Sequence, residues 1–109
     1  PPYGAKVTFT PNINFSGWNA PKTAPWLDQT LQDVSKTYYG EQPAYVGEGG
    51  SIGIIQMLGE KYPQTQFVIS GASGSDSSPH GPNEFLYVPA AKKFTCCVAE
   101  ILATHYAKN

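Results

Sequence analysis

The stretch YVGEGGSIGIIQML, Tyr45 to Leu58, decides how the rest of the chain is read. A β-prone pair leads into a turn holding Gly47, Gly49, Gly50, one acid and one hydroxyl. An apolar run with helical spacing follows. A strand that turns into a helix through glycines is where α/β chains gather ligands, outside the carboxyl ends of their strands. The residues leave three readings of the turn open. Ser51 stands in a literal G-x-S-x-G, Gly49 to Gly53, the pattern of a nucleophile elbow. Gly49 and Gly50 also suit a cradle that lets backbone approach a substrate. In the third reading Ser51 only caps the following helix, in a plain tight turn.

Working outward, Ala5–Thr10 alternates and is rich in Val, Thr and Phe, which predicts a strand. Pro11 to Pro25 is a long loop with proline at both ends. Pro25 suits the first turn of a helix, where its missing N–H goes unmissed. Leu27, Leu31, Val34 and Tyr38 then fall on one helical face, and Gly40 reads as the terminating C′ glycine. Ala44–Val46 predicts a short strand. Ile54, Ile55 and Leu58 share one face of a helix that runs to about Tyr62, where Pro63 stops it. Gln66–Gly71 predicts an apolar strand covered on both sides. The polar loop after it carries His80, and Phe85–Val88 reads as a brief strand or turn. Pro89 opens a last helix to about Tyr106, with Phe94, Cys97, Val98, Ile101, Leu102 and His105 as its buried stripe. The predicted order is β-α-β-α-β-loop-α, an α/β fold with a mixed or largely parallel sheet.

Bulk properties narrow the class. The 109 residues suffice for one domain, and 40% hydrophobic with 14% charged residues is a globular composition. A net charge of -1 gives no basis for a nucleic-acid or anionic-membrane partner. No apolar run approaches the ~18 residues of a membrane span. The chain opens on Pro1-Pro2 without a methionine, as a fragment or processed product does. Cys96 and Cys97 are adjacent on a predicted helix and point about 100° apart, so no mutual disulfide is expected. Two free thiols fit a reducing compartment, hence a cytoplasmic location.

Two kinds of chemistry are open to these residues. Ser51, Asp76 and His80 occur in the chain order of an α/β-hydrolase triad, although Asp76 and His80 share one loop. For metal chemistry there are two histidines, His80 in the polar loop and His105 on the last helix. Zinc takes three or four protein ligands, so this chain by itself does not complete a centre. A third, non-enzymatic possibility is an α/β binding module whose glycine turn seats an anion at a helix N-terminus.

H-G-P-N-E, His80 to Glu84, together with G-E-G-G-S-I, Gly47 to Ile52, resembles a zinc metallopeptidase family. That family includes carnosinase, cytosolic non-specific dipeptidase, glutamate carboxypeptidase, aminoacylase and the acetylornithine and succinyl-diaminopimelate deacylases. PPYGAKV, Pro1 to Val7, is similar to the strand on which the family's inserted lid, or dimerisation, domain returns to the catalytic domain. The resemblance implies that residues 1–10 are the final strand of the lid and residues 11–109 the C-terminal half of a split catalytic domain. It implies a centre with two zinc ions, to which His80 gives one ligand while the absent N-terminal half supplies the others and the general base. Glu48, Gly49, Gly50 and Ser51 would contact a small peptide or N-acyl amino acid, and Asn83 and Glu84 would orient the His80 loop. The full-length protein would be a homodimer, and this segment alone inactive. Two departures stand out: Ile52 is followed by Gly53 where the family often has proline, and the chain contains no arginine to meet a substrate carboxylate.

Overall fold

Pro25, Asp28, Lys36 and Gly40 mark out the first helix as the sequence predicts. In the computed structural model, which describes residues 2–12, 17–47 and 52–108, α1 runs from Pro25 to Tyr39. Proline begins it, Asp28 lies in its first turn and Lys36 in its last, each matching the sign of the helix dipole. Gly40 ends it at φ 82°, its N–H bonding the Lys36 carbonyl. Only glycine takes that left-handed geometry without a side-chain penalty. The Ala24 N–H at the cap is met by Gln66 Oε1 at 2.6 Å, which ties the chain beyond α2 to the start of α1. The second helix, α2, is Gly53–Lys61. The third, α3, is Val88–Lys108, so Val88 is already helical where the sequence predicts a strand or turn. A single 3₁₀ turn covers Pro2–Gly4.

The core lies between α1 and α3. Leu27 (2% exposed) and Val34 (4%) on α1 and Cys97 (7%) on α3 are its buried apolar residues among those described. Cys97 Sγ lies 3.8 Å from the Val34 carbonyl oxygen. Thr30 is buried in the same seam and spends its hydroxyl on the Trp26 carbonyl at 2.7 Å. The helices run antiparallel, because both ends are pinned by aromatic contacts. At one end Trp26 meets His105 with ring centroids 5.4 Å apart, and Lys108 Nζ stands 5.4 Å from the Trp26 centroid. At the other end the Tyr39 hydroxyl donates to the Ala90 carbonyl, and Lys93 Nζ lies 5.2 Å from the Tyr39 centroid. Between them the Tyr38 hydroxyl donates to the Glu100 carboxylate.

The expected α/β sheet is corrected here: the described residues contain three α-helices and no strand. Ala5–Thr10, Ala44–Val46 and Gln66–Gly71 are irregular rather than β. Among the described residues the backbone hydrogen bonds outside the helices are local, the widest joining the Phe85 N–H to the Ser77 carbonyl. A strand exists only through a lateral partner, and alternation alone does not provide one. Val7 and Phe9 accordingly stand 74% and 86% exposed, and Tyr45, Val46 and Ile69 are exposed as well. The stripe expected on α3 is also only partly covered. Cys97 is buried and Phe94, Val98 and Ile101 are half-buried, whereas Leu102 and His105 are exposed. With one helical neighbour, a broad apolar face on α3 cannot all be enclosed.

The molecule is correspondingly drawn out, 63 × 35 × 18 Å, with a radius of gyration of 18.6 Å. A compact domain of this length has about 13 Å. No described helix is long and apolar enough to cross a membrane.

Two outcomes follow from this seam. Leu27→Ala should cost about 2–5 kcal/mol, read as helical signal against denaturant, because the cavity cannot be refilled from a core this small. Glu100, by accepting the Tyr38 proton, raises that phenol from its ordinary 10.0 to about 12, with burial adding to the effect. A raised pKa in the folded state means a contribution fully present below pH 10 and lost as pH rises through about 12. Alkaline unfolding between those limits should therefore be steeper in the wild-type chain than in Tyr38→Phe.

Candidate functional site

The segment from Gly71 to Tyr87 carries His80, and its geometry starts at its base. A Cβ on Gly74 would lie 2.8 Å from the Tyr87 Cβ, so the two ends of the loop meet only because Gly74 has no side chain. Ser77 then locks onto Gly74. Its N–H donates to the Gly74 carbonyl at 3.2 Å, and its Oγ accepts the Gly74 N–H at 2.9 Å. The Ser77 carbonyl accepts the Phe85 N–H at 3.3 Å. The result is a closed surface loop of the Ω type, whose ends touch and whose own side chains hold it together.

His80 sits at its exposed tip. The Gly81 N–H closes a tight turn onto the Ser78 carbonyl at 2.9 Å. Glu84 reaches back so that its Oε2 accepts the His80 backbone N–H at 3.3 Å. Four non-glycine residues of this loop are left-handed: Asp76 (φ 64°), Ser78 (49°), His80 (63°) and Asn83 (58°). Asp, Asn and His tolerate that region better than most, but each still carries a cost of order 1 kcal/mol. Strain of this kind clusters where a side chain must be aimed. Beside the tip lies a cleft of about 320 Å³, lined by Ala72, Ser77, Pro79, Glu84 and Phe85 among others.

Glu48, Gly49, Gly50 and Ser51 lie outside the described residues, and with them the G-x-S-x-G turn and any triad through Ser51. The chain on both sides of that turn is described. Before it, the Tyr45 hydroxyl donates to Asp28 Oδ1 at 3.2 Å, which ties the approach to the first turn of α1. After it, α2 begins with Ile52 in the cap position and no side-chain cap bond. No residue of α2 is buried, and Ile54 and Met57 are 60% and 55% exposed. Its anchor is Trp18. A Cβ on Gly59 would stand 2.6 Å from the indole ring, so this glycine is the seat for Trp18, whose outer side packs edge-on to Phe67 at 5.0 Å.

The sequence offered no marker for the buried hydroxyl of Ser77, one of several small polar residues in its run. The Trp18 seat was readable only as an aromatic in a long loop beside a glycine in a helix.

For a metal, the loop offers the His80 imidazole and the carboxylates of Asp76 and Glu84, of which Glu84 already accepts the His80 backbone N–H. Among the described residues no group of three or more His, Cys, Asp or Glu side chains is placed to hold an ion. His105 lies against Trp26 on the α1–α3 seam. Cys96 is exposed and Cys97 buried, both as free thiols. An exposed imidazole on a braced turn fits one ligand position of a centre shared with other polypeptide, and does not fit a centre closed by these residues alone.

No family model matches the chain. It is similar to the cysteinylglycine-S-conjugate dipeptidase of Corynebacterium striatum, 27% identical over 108 residues. That alignment covers 95% of this chain and 23% of the dipeptidase, so the chain spans less than a quarter of the length of this curated relative. The likeness is to a peptidase, and it is distant.

The Trp18 seat yields a coupled prediction. Gly59→Ala should displace the indole from Phe67 and shift tryptophan emission. In a Trp18→Ala background the same change should instead stabilise α2 by up to about 1 kcal/mol, the ordinary helix preference for alanine over glycine.

Proposed function

We propose that this chain is the C-terminal segment of a dipeptidase-like metallohydrolase that cleaves a peptide or amide bond in a small substrate. The observation that carries this reading is the dipeptidase likeness running through 95% of the chain. The braced tip presenting His80 supports it from the geometry. In this reading His80 gives one ligand to a zinc centre, and the remaining ligands and the general base come from polypeptide outside this chain. Bound zinc supplies Lewis acidity toward the scissile carbonyl and a water of lowered pKa. Glu84 holds the His80 turn from behind, and the left-handed Asn83 lets the chain double back to place that carboxylate. Glu48, Gly49, Gly50 and Ser51 form the substrate-facing turn, where glycines admit the substrate backbone and Ser51 offers a hydroxyl.

A site completed from outside also suits the drawn-out shape. Val7, Phe9, Val46, Ile54 and Leu86 are exposed apolar groups, more than an independent module of this size ordinarily leaves in water. The substrate class is a dipeptide or an N-acyl amino acid. The first compound to try is a cysteinylglycine S-conjugate, because the relative's name specifies it. A homodimer in the cytoplasm completes the proposal.

The test uses the longer polypeptide that contains this segment. His80→Ala should remove bound zinc and lower kcat/KM on dipeptides by more than about 100-fold, beyond the usual loss from a supporting residue. Unchanged zinc content and turnover would overturn the proposal.

A further inference from the structure

Between Ser77 and Phe85 the backbone turns left-handed at Ser78, His80 and Asn83, three non-glycine residues within six positions. Such conformations persist only where the surroundings over-determine them. Yet the surroundings here are sparse. Every residue from 78 to 87 is exposed except the half-buried Gly81, and the Glu84 contact to the His80 N–H is long at 3.3 Å. The one fully buried residue within residues 71–87 is Ser77, which is 3% exposed.

We infer that Ser77 is the positioning residue of the His80 turn, acting through its buried hydroxyl. The reciprocal pair with Gly74, through Oγ at 2.9 Å and N–H at 3.2 Å, fixes where the turn leaves the loop base. The carbonyl contact from the Phe85 N–H fixes where it returns. One residue thus holds both ends of the segment that carries His80, Asn83 and Glu84. The hydroxyl is the replaceable part of this lock, because the other two contacts use backbone atoms that any residue supplies. Without it the Gly74 N–H is left unmet in a half-buried position, and the exit direction of the turn is no longer fixed. The functional meaning, the aim of the imidazole at an ion, rests on the metal reading proposed above. The mechanical coupling does not.

The experiment uses the isotope-labelled chain and two variants, Ser77→Ala and Ser77→Thr, with amide exchange read residue by residue. Ser77→Ala should speed exchange at Gly74 and His80 by about tenfold, the loss of one ordinary hydrogen bond. Amides of α1 and α3 should hold their wild-type rates. Ser77→Thr, which keeps the hydroxyl, should restore both positions. No change at His80 in Ser77→Ala overturns the inference, whatever Gly74 does. Failure of Ser77→Thr to restore His80 overturns the hydroxyl as the cause. Zinc titration of the longer polypeptide that contains this segment, followed on the His80 ring resonances, separates the two claims. If zinc leaves those resonances unmoved in the longer wild-type polypeptide, the metal reading fails while the exchange result still decides the role of Ser77. If zinc moves them, Ser77→Ala should require several-fold more zinc for the same shift, and an unchanged titration counts against the positioning role.

Discussion

The seam between α1 and α3, in which Leu27, Val34 and Cys97 are buried, is the packing on which the rest of the molecule depends. It is the one seam that excludes water among the described residues, and everything else is hung from the two helices that form it. The aromatic and cationic contacts at its ends set the helices antiparallel rather than adding much burial. From α1, one tie runs through Ala24 to Gln66 and another from Asp28 to Tyr45. α3 begins immediately after the loop that bears His80. A small core therefore fixes both segments that flank the candidate chemistry.

That loop shows a division of labour common in binding loops: a closed base, a strained tip and few contacts between them. Gly74 and Tyr87 bring the ends together, Ser77 sets the direction, and Glu84 steadies the backbone beneath the histidine. None of these residues needs to touch a substrate. Their combined effect is a braced turn that carries His80 at its exposed tip.

What the sequence made legible was what local physics decides. Pro25, the spacing of Leu27 and Val34, and Gly40 placed α1 correctly because capping and helical periodicity act within a few residues. Pro63 likewise marked the end of α2 to within two residues. The strands at Ala5–Thr10, Ala44–Val46 and Gln66–Gly71 were misread because a strand is defined by a neighbour, and alternation carries no information about whether one is present. His80 stood out as a histidine in a polar loop. Ser77 did not, because its burial arises from the meeting of Gly74 with Tyr87, a contact across 13 residues that no pattern in the run of glycines and serines announces. Glu48 to Ser51 were prominent in the sequence but lie outside the described residues.

The two neighbouring cysteines differ in one further respect. Cys96 faces solvent, while Cys97 is shut inside the α1–α3 seam, and that burial pushes its thiol above the ordinary range. An alkylating reagent should accordingly take one sulfur at once and wait for the other until the helices part. The slow second adduct is a built-in clock for helix separation, written in mass rather than in spectroscopy, and it requires no label on the protein.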